Sequence, residues 1–188
     1  MGRLSGGAGA RMMDGVRLLS VAHAPGTSRD AARQAIRAAL CADVAAVLGA
    51  TDVQIAAVPG TRPRLLQGGA LAPVGIAISH TDAYAFAAWH PSIDLGIDVM
   101  AVTAVPEWRS LARDYLGPQA LARLEGVAPD ARERAFAREW TAREASLKCQ
   151  GLGLSEWSAE VVQCRLMALT LPAGYVGMLA VAMQAEST

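Results

Sequence analysis

The sequence predicts an α+β protein made of two halves. Three observations support this prediction: short apolar runs of strand length, longer runs with helical periodicity, and glycine or proline residues between them. The order strand, helix, strands occurs twice along the 188 residues, and the two occurrences meet near Pro91. The duplication rests on element order alone, because we find no convincing sequence repeat. We expect a loose tail at 1–15, an N-terminal α+β half at 16–91 and a C-terminal α+β half at 92–188.

The first half is predicted to contain one long helix among several strands. Thr27 or Ser28 can cap a helix over 29–48, which Gly49 ends. Two apolar runs on either side of a turn at 79–82 predict a hairpin. The predicted strands of this half cover 16–24, 53–58, 74–78 and 84–89, and a turn covers 59–63.

The second half begins with a buried strand over 93–99 and continues with helices. The breaker pair Gly117-Pro118 separates a helical stretch at 106–115 from a short one at 119–124. The longest helical pattern covers 129–148 and stops before Gly151. Closing strands are predicted at 160–169 and 176–183, joined by a turn at 172–174.

Charge and cysteine usage limit the function classes. Lysine plus arginine and aspartate plus glutamate are equal at 17 each, so net charge indicates neither a nucleic-acid partner nor a membrane surface. Before residue 70, however, there are eight arginines and only four aspartates. This excess of positive charge suits an anionic ligand, and the alternative is an ordinary arginine-rich surface. Three widely spaced cysteines argue against a disulfide framework or zinc site and favour a reducing cytoplasm.

No secretory signal or spanning segment is recognisable, and Met12 or Met13 is a candidate start.

Asp98 is the first candidate for chemistry. It is the one acid in the apolar run Leu95-Gly96-Ile97-Asp98-Val99-Met100. A carboxylate among buried apolar neighbours is costly unless a metal or another cation compensates it. The alternative is a strand-end aspartate that caps a loop or pairs with an arginine.

Glu144 and Lys148 form the second candidate. They lie one helical turn apart and share a face with Trp140, directly before the glycine stop. An ordinary surface ion pair at this spacing is the alternative. Arg143 points about 100° away around the helix, so we expect it to be a solvated or partner-facing charge. Two acids from separate segments, with a lysine beside one, suit a Mg²⁺-bound pyrophosphate.

Ser79 and His80 lie at a predicted strand-to-strand turn. They can donate hydrogen bonds to phosphate oxygens, although a lone histidine there also fits a structural role. The chain has no Gly-x-Ser-x-Gly elbow, phosphate-binding loop or dinucleotide fingerprint, which argues against those enzyme classes.

In order along the chain, five segments resemble the 4′-phosphopantetheinyl transferase family, and most closely its Sfp-type branch. The segments are Thr61-Arg62-Pro63, Ile78-Ser79-His80-Thr81, Gly96-Ile97-Asp98-Val99, Trp140-Thr141-Ala142-Arg143-Glu144-Ala145-Ser146-Leu147-Lys148 and Gly151-Leu152-Gly153-Leu154. The resemblance implies two similar subdomains related by a pseudo-twofold axis, with the active site in the cleft between them. It also implies transfer of the phosphopantetheine arm of coenzyme A (CoA) to a serine of an acyl or peptidyl carrier protein, with release of 3′,5′-ADP.

The resemblance also assigns roles to individual residues. Arg62 and His80 would bind phosphates of CoA, Ser79 would contact the nucleotide, and Arg33 is a looser match to another phosphate-binding arginine. Asp98 and Glu144 would hold Mg²⁺, Lys148 would neutralise phosphate charge, and Glu144 would accept the proton of the attacking serine. Acidic carrier proteins imply exposed cations on the docking face, and two halves in one chain imply a monomer.

One position departs from the family pattern. The Sfp-type motif Gly-x-Asp-x-Glu has a second acid where this chain has Met100, and a thioether is a poor ligand for Mg²⁺. This departure favours one alternative, a catalytically silent protein that binds CoA or a carrier. An arginine-rich RNA-binding module is a further alternative, but the aromatic residues that it needs are scattered.

Overall fold

The computed structural model describes residues 9–13, 15–58, 61–159 and 164–183. These described residues form a mixed α+β structure with three small sheets. The chain divides into two compact units, Met1–Leu95 and Gly96–Thr188. The predicted similarity and pseudo-twofold relation of the two halves stay predictions. None of the described helices combines the length and apolar character needed to cross a lipid bilayer.

The described part of the first unit contains one long helix and two antiparallel sheets, ordered β1-β2-β7-β6 and β3-β4-β5. Ser28 caps the helix by accepting a hydrogen bond from the Ala31 N–H, and Gly49 ends it in the left-handed conformation, as predicted. The elements are β1 (Gly9–Met13), β2 (Val16–Ala22), α1 (Arg29–Leu48), β3 (Val53–Ala56), β4 (Arg64–Gln67), β5 (Ala70–Leu71), β6 (Gly75–His80) and β7 (Tyr84–His90).

Helix α1 packs one apolar stripe against the four-stranded sheet. Its buried residues recur every four positions, at Ala32, Ile36, Leu40 and Val44. They meet side chains from one face of the sheet, where alternate residues of each strand point the same way. The sheet residues of this core include Leu19, Val21, Ile76, Ile78, Ala85, Ala87 and Trp89.

A three-residue polar network ties α1 to two strands. Arg17 on β2 donates two hydrogen bonds to Asp43 on α1, at 2.7 and 2.6 Å. The indole Nε1 of Trp89 on β7 donates a third to the same carboxylate at 2.7 Å. The network therefore sets the position of α1 on the sheet.

The second unit packs its longest helix on a three-stranded sheet, ordered β8-β10-β9. Its elements are β8 (Leu95–Ala101), α2 (Trp108–Leu111), a π-helical turn (Ala112–Leu116), α3 (Pro118–Glu125), α4 (Pro129–Gln150), β9 (Cys164–Ala168) and β10 (Tyr175–Ala182). The segments at 106–115, 119–124 and 129–148 are helical as predicted, although the first begins only at Trp108.

Three strands were not predicted from the sequence. Residues Gly9–Met13 form β1 against β2, so the expected loose tail is corrected for this part. The hairpin β4–β5 turns at Gly68 and Gly69, which both have positive φ. That Gly-Gly pair is a two-residue hairpin signal, although no strand was predicted on either side of it. The start of the predicted strand 160–169 lies outside the described residues.

Candidate functional site

Asp98 lies within the buried run of strand β8. Residues 95–99 are all buried, and the Asp98 side chain keeps only 12% of its surface exposed. Asp98 and Gly96 are two positions apart on the strand, so they lie on the same face. A carboxylate in such surroundings needs a compensating cation nearby.

Gly96 allows β8 to approach helix α4 closely. A Cβ atom at this position would lie 3.0 Å from the Lys148 carbonyl carbon and would overlap the Ala145 carbonyl oxygen and the Cys149 backbone nitrogen. Only glycine fits between the strand and the helix backbone here. The close approach brings the same face of β8, with Asp98, next to the last turns of α4.

Glu144, Lys148 and Asp98 form one cluster, which we call the acid–lysine cluster. The Lys148 Nζ donates to the Asp98 carboxylate at 2.6 Å and lies 3.7 Å from the Glu144 carboxylate. The Glu144 and Lys148 side chains are 20% and 34% exposed. The surface-pair alternative is therefore disfavoured, because both are largely buried and a third residue, 50 positions away, completes the group.

Burial and neighbouring charges tune the Glu144 carboxyl. Burial raises its pKa above the ordinary value for a glutamic acid, and the negative charge of Asp98 acts in the same direction. The Lys148 ammonium opposes this shift, but it does not cancel it. A carboxylate with a raised pKa is a stronger base than an exposed one, so Glu144 is suited to accept a proton.

The helix that carries Glu144 and Lys148 is held firmly. Trp140, one turn before Glu144, stacks on Phe136 at a ring separation of 5.7 Å and contacts the Tyr115 ring at 5.9 Å. The helix ends at Gly151 in the left-handed conformation, where its N–H bonds the Lys148 carbonyl. Glu144 and Lys148 thus lie on a packed helix and Asp98 lies on a strand, so no member of the cluster is on a loop.

The donor atoms of the acid–lysine cluster suit a hard divalent cation. Asp98 and Glu144 offer carboxylate oxygens, which are the protein ligands that Mg²⁺ prefers. Among the residues that the structure describes, no group of three or more histidine, cysteine or acidic side chains could hold a metal. The pair therefore fits a metal ion that takes its other ligands from water and substrate. Met100 is half-buried two positions beyond Asp98 and adds no oxygen ligand.

In the first unit, His80 is the last residue of strand β6 and lies near several arginines of α1. Burial, followed by the nearby charges of Arg33, His23, Arg37 and Arg29, lowers the pKa of His80 to about 4. The free protein therefore holds His80 as the neutral imidazole near pH 7. Ser79 precedes it and is buried.

The two arginines predicted to bind phosphate each lie beside an aspartate. Arg62 forms an ion pair with Asp94, which Arg64 also approaches at 3.9 Å. Arg33 is 46% exposed on α1 and lies 3.5 Å from Asp30. Asp94 therefore neutralises part of the positive charge that Arg62 was expected to offer a phosphate. The sequence did not indicate this ion pair.

Sequence reasoning missed His23, and of the arginines on α1 it singled out only Arg33. Arg29, Arg33 and Arg37 recur every four positions and are all exposed, so they form a stripe along the helix. That i, i+4, i+8 spacing was the available signal. No comparable signal existed for His23, since its neighbourhood depends on strand pairing.

Comparison with known proteins finds similarity in the segment that carries the acid–lysine cluster. Residues 94–177 match the family model described as the 4′-phosphopantetheinyl transferase superfamily. A protein of Synechocystis sp. named "Putative 4'-phosphopantetheinyl transferase slr0495" is 28% identical over 85 residues. The aligned part covers 45% of this chain and 35% of that relative. The segment 94–177 contains Asp98, Glu144 and Lys148.

Proposed function

We propose that this protein transfers the 4′-phosphopantetheine arm of CoA to a serine of an acyl or peptidyl carrier protein. The observation that carries the proposal is the acid–lysine cluster inside the segment that matches the superfamily. The cluster joins two carboxylates and one ammonium in largely buried surroundings. This is a suitable arrangement for phosphoryl transfer, where catalysis is mostly positioning and charge stabilisation.

The transfer forms one phosphorus–oxygen bond and breaks another. The serine oxygen of the carrier attacks the phosphorus next to pantetheine, and the bond to the second phosphate breaks to release 3′,5′-ADP. Glu144 accepts the serine proton, directly or through a water molecule, and its raised pKa favours this role. Lys148 holds the Asp98 carboxylate now and would offset negative charge on the substrate phosphates.

Asp98 and Glu144 would hold Mg²⁺ in the loaded enzyme. When bound, the metal supplies positive charge that stabilises the departing phosphate. In the first unit, Arg33, Arg62, Ser79 and His80 are proposed to bind CoA, the arginines by charge and the other two by hydrogen bonds. The His80 motif supports placement in the Sfp-type branch. A monomeric state and a reducing cytoplasm stay predictions from the sequence.

A catalytically silent protein that binds CoA or a carrier is the second candidate. Met100 favours it, because an acid is missing where the Sfp-type motif has one. The acid–lysine cluster favours the enzyme, since a binding protein needs no pair of carboxylates at a pyrophosphate. The two candidates differ in whether the carrier gains mass.

The test is an intact-mass measurement of an apo carrier protein after incubation with the protein, CoA and Mg²⁺. We expect a gain of one phosphopantetheine, lost in EDTA and reduced at least 100-fold in rate by Glu144→Gln, which removes the base and a metal ligand. Glu133→Gln, an exposed position on the same helix, is the matched control and should keep the wild-type rate. Fatty-acid, polyketide and peptide carriers are tested in parallel. Binding of CoA without any gain would reject the enzyme and favour the silent protein.

A further inference from the structure

The second unit carries two cysteines on neighbouring elements of one small core. Cys149 lies on the last turn of α4 and keeps only 2% of its surface exposed. Cys164 is the first residue of β9 and is half-buried. The buried residues Ala145, Cys149 and Ala180 form one core cluster, and Cys164 packs against it. Both cysteines are free thiols, and the proposed transfer reaction uses neither of them.

Strand pairing places Cys164 on the face of the sheet that α4 covers. Cys164 on β9 pairs with Ala182 on β10, and the side chains of such a pair lie on the same face. Ala182 alternates with Ala180, which packs against Ala145 and Cys149 of α4. Cys164 is therefore a diagonal neighbour of Ala180, and diagonal neighbours on a sheet lie about 7–8 Å apart. Both thiols thus border the same residue of β10.

Small side chains on β10 leave little bulk between the two thiols. Ala180 and Ala182 each carry only a methyl group, and both belong to the core that Cys149 and Cys164 share. Sulfur atoms that are not bonded stay well beyond the S–S length of a disulfide, which is about 2.05 Å. Because both thiols are free in the structure, forming a disulfide would draw the last turn of α4 and the start of β9 together.

The same movement would take the last turn of α4 away from β8. The strands lie in the order β8-β10-β9, so β8 and β9 are on opposite sides of β10. Lys148 directly precedes Cys149, and its Nζ contacts Asp98 on β8 at 2.6 Å. The backbone nitrogen of Cys149 is one of the atoms that a Cβ at Gly96 would overlap, so this turn rests directly on β8. A displacement toward β9 therefore lengthens the contact between Lys148 and Asp98.

The three cysteines differ in how an oxidant in solution would reach them. Cys164 is half-buried, so part of its surface is accessible, whereas the surrounding core shields Cys149. Cys41 on α1 is also half-buried, but burial raises the pKa of its thiol, so less of the reactive thiolate is present. Cys164 is therefore suited to react first, and Cys149 is suited to resolve the oxidised sulfur.

We propose that Cys149 and Cys164 form a reversible disulfide when the protein meets a hydroperoxide, and that this bond lowers its transferase activity. First, the Cys164 sulfur attacks the peroxide O–O bond, becomes a sulfenic acid and releases an alcohol, or water from hydrogen peroxide. The Cys149 sulfur then attacks the sulfenic sulfur, the S–O bond breaks, and the hydroxyl leaves as water with the Cys149 proton. Two thiols are oxidised and one peroxide is reduced. The effect on activity rests on the proposed function, whereas the disulfide does not.

The first test counts thiols in the chain before and after treatment with hydrogen peroxide. The protein is denatured, alkylated with N-ethylmaleimide and weighed, and its peptides are mapped. The reduced protein should take up three alkyl groups, one for each cysteine, and the oxidised protein only one, with a peptide that joins Cys149 to Cys164. Dithiothreitol should restore all three. Cys164→Ser should form no such link, whereas Cys41→Ser, the matched control, should still lose two thiols.

Carrier modification measures the effect of the bond on the proposed activity. We expect the oxidised wild type to transfer phosphopantetheine roughly tenfold more slowly or worse, because Lys148 is displaced, and dithiothreitol to reverse the loss. Cys164→Ser should keep its rate through the same treatment, which separates the disulfide from oxidation of methionine. Cys41→Ser should lose and regain activity as the wild type does.

Three results would overturn the inference. They are Cys149 and Cys164 left unlinked after peroxide treatment, a link that forms only between two chains, and a linked protein whose transfer rate is unchanged. All three are measured on the wild type, so the inference stays testable if a variant does not fold. If the link forms but the reduced protein modifies no carrier, the proposed function is rejected and the disulfide stands.

Discussion

Substitution of Gly96 by alanine tests whether the close approach of β8 to α4 builds the site. The added Cβ would lie 3.0 Å from the Lys148 carbonyl carbon and nearer still to two other backbone atoms of α4. Carbon atoms pack best at about 3.5–4.0 Å, so strand and helix must separate by roughly 0.5–1 Å or more. Backbone atoms cannot move aside by changing rotamer. We therefore expect a cost near the upper end of overpacking effects, about 3 kcal/mol in the free energy of unfolding.

The same displacement should weaken the acid–lysine cluster. Asp98 lies two residues along the strand on the same face as Gly96, so it moves away from α4 with the strand. The contact between Lys148 Nζ and Asp98, now 2.6 Å, would lengthen toward or beyond hydrogen-bond range. We expect the carrier-modification rate to fall at least tenfold, since misplacement on this scale is costly to catalysis.

Urea denaturation followed by circular dichroism measures the stability effect. Gly126→Ala is the matched control, because a Cβ at that helix end meets its nearest atom at 3.5 Å and the backbone is right-handed helical. A Gly96→Ala protein within about 0.5 kcal/mol of this control would refute the reasoning, since surface substitutions fall in that range. A stable variant with the wild-type rate would show that Asp98 does not depend on the approach of strand to helix.

Two further predictions concern single side chains elsewhere. Replacing Asp43 by asparagine should cost about 2 kcal/mol in urea denaturation at pH 7, because the Arg17 guanidinium loses a carboxylate partner. The hydrogen bonds from Arg17, and secondarily Trp89, lower the pKa of Asp43. The stability that the Asp43 carboxylate contributes is therefore complete above its ordinary pKa of about 3.9, and it is lost as the pH falls through the lowered pKa. The difference in unfolding free energy between wild type and variant should therefore shrink between about pH 5 and pH 2. Met100→Glu should lower the Mg²⁺ concentration that gives half-maximal transfer, since it adds an oxygen ligand; an unchanged or higher requirement in a metal titration of the rate would contradict this placement.

Local signals were sufficient for the long helices and the central hairpin. Helix α1 has a serine cap and a glycine stop, and α4 begins at Pro129 and ends before Gly151. These signals act within a few residues, so they can be recognised without knowing the fold. Strand β1 lacked such signals, because its five residues gain their conformation by pairing with β2.

The sequence likewise predicted some features of the candidate site, and tertiary packing determined the others. The spacing of Glu144 and Lys148 is a property of any helix, so the sequence alone determined that they share a face. Whether Asp98 joined them depended on contacts 50 residues apart, which Gly96 makes possible. The pairing of Arg62 with Asp94, and the position of His23 beside the turn after His80, likewise follow from the packing of distant segments. Sequence determines what each short segment can form, whereas tertiary packing determines which charges meet, because pairing free energies depend on burial and distance.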